Sequence, residues 1–418
     1  MQKRSRTIPR VESQRARGRV TRSAVWAGAV AASLAVAAAC SSSGPVGSRS
    51  GNGTPGGSGG SLVADARQVV KAAGEGLVYS ATNTPSHATD LVPYGSWRGP
   101  TSAPAPQRNA LVEIIPCTMQ AASCATTAKS TAAAVKALGW RSDIITSGAL
   151  TPEQAAQAFN VALSRRPQAI VAIAVNSPLA PQQISVAKKA GIVTVEVAAE
   201  PDPSQPVSYD AYVSFRQPLE FTLNAYAVIA DSNGMASALG MDIVDIPELH
   251  AAYDQFKSVM AQCTGCKLST ISMTRVQLSD PTTMQQLVGA ALAAHPSADY
   301  LQLPASEALP PVAAAVRQAG KRDKVKVLIE DADPVGLSGV TQGDATYDPG
   351  FSLGWLAYAG VDQVVRGLAK APFLSTAQIA LGIHLFSVST APKSGNADDY
   401  AGYDVYVAEY KKIWGIAS

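Results

Sequence analysis

The sequence lacks the residue arrangements on which most enzyme active sites depend. It contains no Gly-x-Ser-x-Gly nucleophile elbow, no phosphate-binding loop and no glycine-rich dinucleotide fingerprint. Its four histidines, His87, His250, His295 and His384, stand far apart and lack the short spacing of metal ligands. Because an enzyme needs a placed nucleophile or acid–base pair, we predict that the chain is not an enzyme and uses no metal or cofactor.

Long apolar runs and an excess of positive charge are missing once the N-terminus is set aside. Residues 1–22 carry eight basic residues and one acidic residue, and an uncharged apolar run follows over 23–39. This pattern is typical of an export signal, and the run is too short for a membrane span. Without residues 1–39 the net charge changes from +3 to −4, so nucleic-acid binding is not expected.

The apolar run ends in Ala37-Ala-Ala-Cys40, which resembles a bacterial lipobox. In that motif the cysteine thiol is acylated by diacylglycerol and becomes the first residue of the mature protein. Ala37 stands where leucine is usual, and the alternative is an ordinary Ala-x-Ala cleavage beside an incidental cysteine. Residues 41–61 are mostly Ser and Gly, a composition typical of a flexible tether. We therefore predict a signal peptide over 1–39, a tether over 40–61, and anchoring of the exported chain to the outer face of the cell membrane through lipidated Cys40.

Four cysteines remain after Cys40, and an even number in an exported chain predicts disulfides. Proximity in the sequence favours the pairs Cys117–Cys124 and Cys263–Cys266. The second pair has the C-x-x-C spacing of redox enzymes, but a predicted helix precedes it and a predicted strand follows it, which is the reverse of the redox order. Redox catalysis and a four-cysteine zinc site are the less favoured alternatives.

Two segments of the sequence align without gaps at an offset of 129 residues. Each begins with a capping residue and a proline, Thr151-Pro152 and Asp280-Pro281, which predicts the start of a helix. Each continues with a further proline, a short apolar strand, a second helix ending in Ala-Gly and another strand. Apolar strands that alternate with helices indicate parallel sheets. We therefore predict an α/β fold of two Rossmann-like lobes, with the ligand at the carboxyl ends of the strands.

The order and spacing of these segments resemble the type I periplasmic-binding-protein family, in its ribose- and galactose-binding branch. The resemblance covers roughly 109–367 and is carried by the segments Leu111–Ile115, Ala137–Trp140, Ala169–Ala174, Asn176–Pro178, Ala190–Val195, Ala298–Gln302, Val316–Gly320, Val325–Asp331 and Gln342–Pro349. It implies a three-strand hinge near Val213–Gln217, Asp331–Pro334 and Tyr347–Gly350, about which the lobes close on a ligand.

The same resemblance implies the division of the chain and its partners. An N-terminal extension covers 62–108, lobe 1 comprises 109–214 with 350–378, and lobe 2 comprises 215–349 with 379–418. The implied function is delivery of a small polar ligand, a sugar or sugar derivative among the candidates, to an ABC permease and its ATPase by a monomeric protein. The alternatives are a lipoprotein that presents its ligand to a membrane receptor and, less favoured, a lipoprotein hydrolase.

Polar residues at predicted strand ends and cleft-facing helix starts are the candidates for ligand binding. They are Gln120, Asn176, Glu196, His250, Asp331 and Tyr347. Glu196-Val197 stands where sugar-binding relatives usually have an Asp-Arg pair. Structural roles are the alternative: Asn176 or Asp331 capping a turn, and Glu196 as a solvated strand end.

Overall fold

The computed structural model of the chain describes residues 58–82, 85–214 and 216–416. The predicted signal peptide, Cys40 and most of the predicted tether therefore lie outside the described residues. The helices are α1 (Ser58–Glu75), α2 (Ala122–Ala137), α3 (Pro152–Ser164), α4 (Pro181–Lys189), α5 (Gln217–Asp231), α6 (Pro247–Met260), α7 (Arg275–Leu278), α8 (Pro281–Ala294), α9 (Leu309–Gln318), α10 (Pro334–Gln342), α11 (Leu353–Leu368), α12 (Thr376–Ile379) and α13 (Val405–Ile413). The strands are β1 (Val78–Tyr79), β2 (Val92–Pro93), β3 (Leu111–Pro116), β4 (Arg141–Ile144), β5 (Ala169–Ile173), β6 (Val193–Val197), β7 (Ala211–Val213), β8 (Ser237–Ile243), β9 (Lys267–Met273), β10 (Tyr300–Gln302), β11 (Lys326–Leu328), β12 (Asp348–Gly350) and β13 (His384–Phe386).

Two parallel sheets organise the fold, as the sequence predicts. The first has the strand order β4-β3-β5-β6-β7 and the second the order β11-β10-β8-β9, and all pairs within them are parallel. Two antiparallel pairs, β1-β2 and β12-β13, lie outside these sheets. None of the helices in the described part of the chain is long and apolar enough to cross a membrane.

The repeat at an offset of 129 residues is visible in the secondary structure. Helices α3 and α8 begin at Pro152 and Pro281, directly after the capping residues Thr151 and Asp280. The side chain of Thr151 accepts a hydrogen bond from the Gln154 N–H, and that of Asp280 accepts one from the Thr282 N–H. Both predicted caps are therefore confirmed, and each satisfies an N–H group that the first helical turn leaves open.

Segment 213–217 carries the chain from the first sheet to helix α5, which packs on α6 beside the second sheet. After β12 the chain returns to the first sheet, where α11 packs against α2 and β6. Gly360 permits this close approach, because a Cβ at that position would lie 2.5 Å from Val197 Cγ2. Helix α10 lies between the two parts, with Leu337 in the core of the first sheet and Val340 in that of the second.

Both ends of the described chain pack against these sheets. Helix α1 begins at Ser58, inside the predicted tether, and packs on α5 with Ala66, Val69 and Ala73 fully buried. At the other end, side chains of 403–414 are buried in the core of the first sheet together with α11. This packing differs from the predicted placement of 379–418 in lobe 2, because aromatic side chains of α13 pack against aromatic side chains of α11.

Disulfides join the cysteines that are neighbours in the sequence. Cys117 is bonded to Cys124 and Cys263 to Cys266. Helix α6 precedes the second pair and strand β9 follows it, in the order that the sequence predicts. The first pair ties the end of β3 to the start of α2, at the edge of the cavity described next.

Candidate functional site

A cavity of about 150 Å³ opens where the carboxyl ends of the two parallel sheets face each other. Ala174 follows β5 and Ala198 follows β6 on one side, and Ile246 follows β8 and Glu330 follows β11 on the other. Ligands of doubly wound folds bind outside the carboxyl ends of parallel strands. The position of the cavity therefore agrees with the position that the sequence predicts for a binding site.

A second cavity, of about 320 Å³, adjoins the first and shares Asn176, Ala198, Gln217 and Glu248 with it. It extends along the loop 199–205, which follows β6, toward the start of α5. Since the two cavities share four lining residues, we treat them as one cleft and refer to both together as the cleft.

Hydrogen bonds cross the cleft between elements of the two sheets. The Asn176 amide, after β5, donates to Glu248 Oε1, in the first turn of α6, at 2.7 Å. Arg275 Nη1, at the start of α7, donates to the Leu150 carbonyl, before α3, at 3.4 Å. These contacts hold the two sides of the cleft together, and hinge opening would break both of them.

Buried carboxyl groups converge beside the first cavity, which two of them, Glu330 and Asp331, line. One carboxylate oxygen from each of Glu220, Glu330 and Asp331 lies within 4.8 Å of the others. Burial raises the pKa of all three well above the ordinary value, and the negative charge of a neighbouring carboxyl in the group raises each pKa further. Among the described residues this is the one group of carboxyl, histidine or cysteine side chains spaced to hold a metal ion.

The backbone at several strand ends beside the cleft has a left-handed conformation that residues other than glycine rarely adopt. The φ angle is 52° at Ala174, 76° at Ala198 and 85° at Asp331, and all three residues line the first cavity. Such conformations cost about 1–3 kcal/mol each and are concentrated at functional sites.

Two of the six predicted ligand-binding residues, Asn176 and Asp331, line the cleft. The side chain of Asn176 makes no capping hydrogen bond, since its amide donates to Glu248. Asp331 does not cap the following helix either; Asp333 does so by accepting from the Gly336 N–H at 2.8 Å. Neither side chain therefore makes the capping hydrogen bond that was its structural alternative.

The other four predicted residues are not among those that line the cleft. Glu196 is fully buried, not a solvated strand end, and its Oε1 accepts a hydrogen bond from the Val175 N–H at 3.2 Å. His250 Nδ1 lies 2.8 Å from Asp242 Oδ1, a contact that raises the pKa of His250. Gln120 is exposed and bonds with Thr118, while Tyr347 packs against the core of the second sheet.

The sequence-based search missed most polar groups of the cleft. In the first cavity the missed charged and amide side chains are Gln217, Glu248, Arg275, Glu307 and Glu330. Glu248 and Arg275 begin the helices after β8 and β9, and Glu307 follows β10. Reading the charged residues within five positions after each predicted strand would have found Glu248 and Glu307, because all strand ends of a parallel sheet point the same way, whereas Arg275 fell inside the predicted strand 268–276.

Comparisons with known proteins identify the family and the fold of the chain. A family model described as periplasmic binding protein domain matches residues 113–371. An ABC transporter solute-binding protein from Agrobacterium vitis, solved with alpha-D-tagatopyranose, has a TM-score of 0.61 at 18% identity, covering 70% of this chain and 99% of that one. A periplasmic solute-binding protein from Actinobacillus succinogenes with bound D-allose has a TM-score of 0.59 at 12% identity, covering 68% and 99%.

A solute-binding protein from Bacillus halodurans with bound myo-inositol has a TM-score of 0.56 at 15% identity, covering 73% of this chain and 99% of that one. No curated protein sequence matches the chain. The structural neighbours share the architecture of paired parallel sheets, and the family model covers well over half of the residues. The chain therefore belongs to the periplasmic binding protein family and has its type I fold.

Proposed function

We propose that the chain is the lipid-anchored solute-binding component of an ABC importer and binds a small polyhydroxylated molecule in the cleft. The observation that supports this most directly is the cleft itself, lined from the strand ends of both sheets and bridged by Asn176 and Glu248. The structural neighbours solved with a ketohexose, an aldohexose and a cyclitol support a ligand of that size. Closure about the segments near 213–217, 331–334 and 347–350 would enclose the ligand, and the closed protein would deliver it to the permease.

The first prediction concerns binding itself. A ligand that binds only the folded chain stabilises it by about 2.7 kcal/mol at a concentration of 100 times its dissociation constant. We expect at least one member of a panel of monosaccharides, cyclitols and their derivatives to raise the melting temperature of the full-length protein. The replacement Asn176→Ala removes one hydrogen-bonding group from the cleft and should weaken binding by up to about 10-fold.

Asn160→Ala is the matched control, because Asn160 is exposed on α3 and is not among the residues that line the cleft. It should leave the affinity unchanged. A panel in which no compound shifts the melting temperature would contradict the proposed function, and equal losses in both variants would contradict the placement of the site.

The second prediction concerns the anchor. We expect Cys40→Ser to move the exported protein from the membrane fraction to the soluble fraction almost completely, because acyl chains supply the hydrophobic attachment. Fractionation and immunoblotting would measure the distribution. Ser43→Ala, three positions further along, is the control and should stay with the membrane. A Cys40→Ser protein that remained in the membrane fraction would show that the anchor lies elsewhere.

A further inference from the structure

The cleft contains far more acidic than basic groups. Glu248, Glu307, Glu330 and Asp331 bring four carboxyls to the first cavity, and Arg275 brings the one guanidinium among its described lining residues. The four carboxyls belong to three separate strand ends, those of β8, β10 and β11. They therefore meet only because the fold brings these strand ends together.

The second cavity has the same imbalance. Glu200 and Asp202 line it together with Glu248, against Arg216. The guanidinium of Arg216 donates through Nη2 to the carbonyl oxygens of Ser80 and Thr82, at 2.7 and 3.0 Å. Those bonds hold this cation against the N-terminal extension, so its hydrogen-bonding capacity is partly committed away from the cleft.

Two of the acidic groups present buried oxygens that accept no hydrogen bond from the described protein. Asp331 Oδ1 and Glu330 Oε1 have no donor, although Asp331 is only 3% exposed and Glu330 is 0% exposed. A buried acceptor without a donor is costly, and a buried carboxylate is more costly still. Both residues line the first cavity, and a donor placed there reaches these two buried oxygens when the side chains turn toward it.

The amide and guanidinium side chains that line the first cavity each donate at least one hydrogen bond within the protein. The Asn176 amide donates to Glu248, the Gln217 amide donates to Glu330 Oε2 at 3.3 Å, and Arg275 donates to the Leu150 carbonyl. Carboxyl groups thus outnumber the amide and guanidinium donors here, and because burial raises the pKa of Glu307, Glu330 and Asp331, an ammonium group that binds among them displaces their protons. A neutral sugar both donates and accepts through each hydroxyl, whereas an ammonium group only donates and carries the opposite charge.

We infer that the ligand of this cleft carries a protonated amine, as an amino sugar or amino polyol does. The inference rests on the proposed function and narrows its substrate class. The ammonium lies among Glu307, Glu330 and Asp331 and supplies the donors that the buried oxygens lack. Leu150, Ile246 and Leu249 line the same cavity and can contact the carbon skeleton of the ligand.

The experiment compares ligands that differ in one group. D-glucosamine, D-galactosamine and D-mannosamine are titrated calorimetrically into the full-length protein at pH 7.5, each beside its parent hexose and its N-acetyl derivative. EDTA is present so that no metal ion bridges ligand and carboxylates. We expect an amine to bind about 10- to 100-fold more tightly than both of its neutral counterparts, the effect of one charge-assisted hydrogen bond.

Two variants test the residues. Asp331→Asn and Glu307→Gln keep the shape of the side chain and remove its charge, so each should lower the affinity for the amine by the same factor. Glu307 is exposed to the cleft, so its variant is informative even if the buried Asp331→Asn fails to fold. Asp323→Asn, at an exposed turn before β11, is the control and should change nothing.

The outcomes separate the inference from the proposed function. If a parent hexose or N-acetyl derivative binds as tightly as its amine, the inference is overturned and the solute-binding function stands. If no probe binds, native mass spectrometry of the purified protein decides: a retained amine supports the inference, and a retained neutral or anionic compound overturns it. If no small molecule is retained and no compound in the melting-temperature panel binds, both proposals fall.

Discussion

Glu220→Gln is expected to stabilise the protein relative to the natural chain, by an amount that grows as the pH rises from 5 to 8. Glu220 is fully buried on α5, and neither of its carboxylate oxygens has a hydrogen-bond donor in the described protein. Burial first, and then the charge of Asp331, raise the pKa of Glu220 well above its ordinary value. The charged and titratable groups that act on it or are acted on by it include Glu330, Asp331, Asp348, Arg216 and Tyr403.

The direction in which the free energy of unfolding changes with pH follows from the protons that the folded and unfolded chains hold. Between the ordinary pKa of a carboxyl and its raised pKa in the native state, the folded chain holds a proton that the unfolded chain has lost. The stabilising contribution of such a group is complete below its unfolded pKa and is lost as the pH rises through the folded pKa. The loss amounts to about 1.4 kcal/mol per pH unit for each excess proton. Glutamine does not titrate, so the variant escapes this part of the loss.

Urea unfolding at several pH values measures the effect. His384 contributes a pH dependence of the opposite sign to the free energy of unfolding. Burial lowers the pKa of His384 to about 4, so below its ordinary pKa the unfolded chain takes up a proton that the folded chain does not. Since His384 is present in both proteins, the difference between variant and natural chain removes its contribution. Asp323→Asn, at an exposed position, is the control and should track the natural chain. A constant difference between Glu220→Gln and the natural chain at all pH values would contradict the assignment of a raised pKa.

Trp355→Ala is expected to destabilise the protein by about 3–5 kcal/mol, the usual cost of removing a fully buried aromatic side chain. Trp355 lies on α11 and is 0% exposed. Its ring stacks on Trp97 with centroids 5.1 Å apart and on Tyr406 at 6.2 Å, and it meets Tyr94 edge-on at 5.5 Å. One side chain therefore joins α11, the N-terminal extension and the C-terminal helix.

A second consequence separates this role from ordinary core packing. We expect amide exchange in 91–100 and 405–414 to accelerate more than elsewhere, because both segments lose the ring on which they pack. Phe256→Ala, a fully buried site on α6 in the core of the second sheet, should cost a similar free energy without that preference. Uniform acceleration in both variants would show that Trp355 holds neither segment in particular.

The secondary structure was predictable because its causes are local. The apolar run of β5, Ala169–Ile173, is buried at every position, as a strand between two helical layers must be. The caps Thr151 and Asp280 act within one turn of their helices, so their role is legible in the sequence. The disulfides were predictable for the same reason, since each pair is separated by only a few residues.

The binding residues were harder to predict, because a side chain at a strand end can point to either side of the sheet. Glu196 and Asn176 both stand near strand ends, yet Glu196 turns into the core and Asn176 into the cleft. His250 is the fourth residue of α6 and contacts Asp242, whereas Glu248, two positions earlier, lines the cleft. A difference of two positions on a helix moves a side chain to the other face.

By itself, the sequence determined the parallel α/β architecture, its repeat and its cysteine pairs, since these depend on neighbours along the chain. Only the tertiary structure decided the chemistry of the cleft. Glu248, Glu307 and Asp331 are 59 and 24 positions apart in turn, and they meet because three strands end at one edge of one sheet. The left-handed backbone at Asp331, with φ of 85°, belongs to the packed state, and no local sequence pattern announces it.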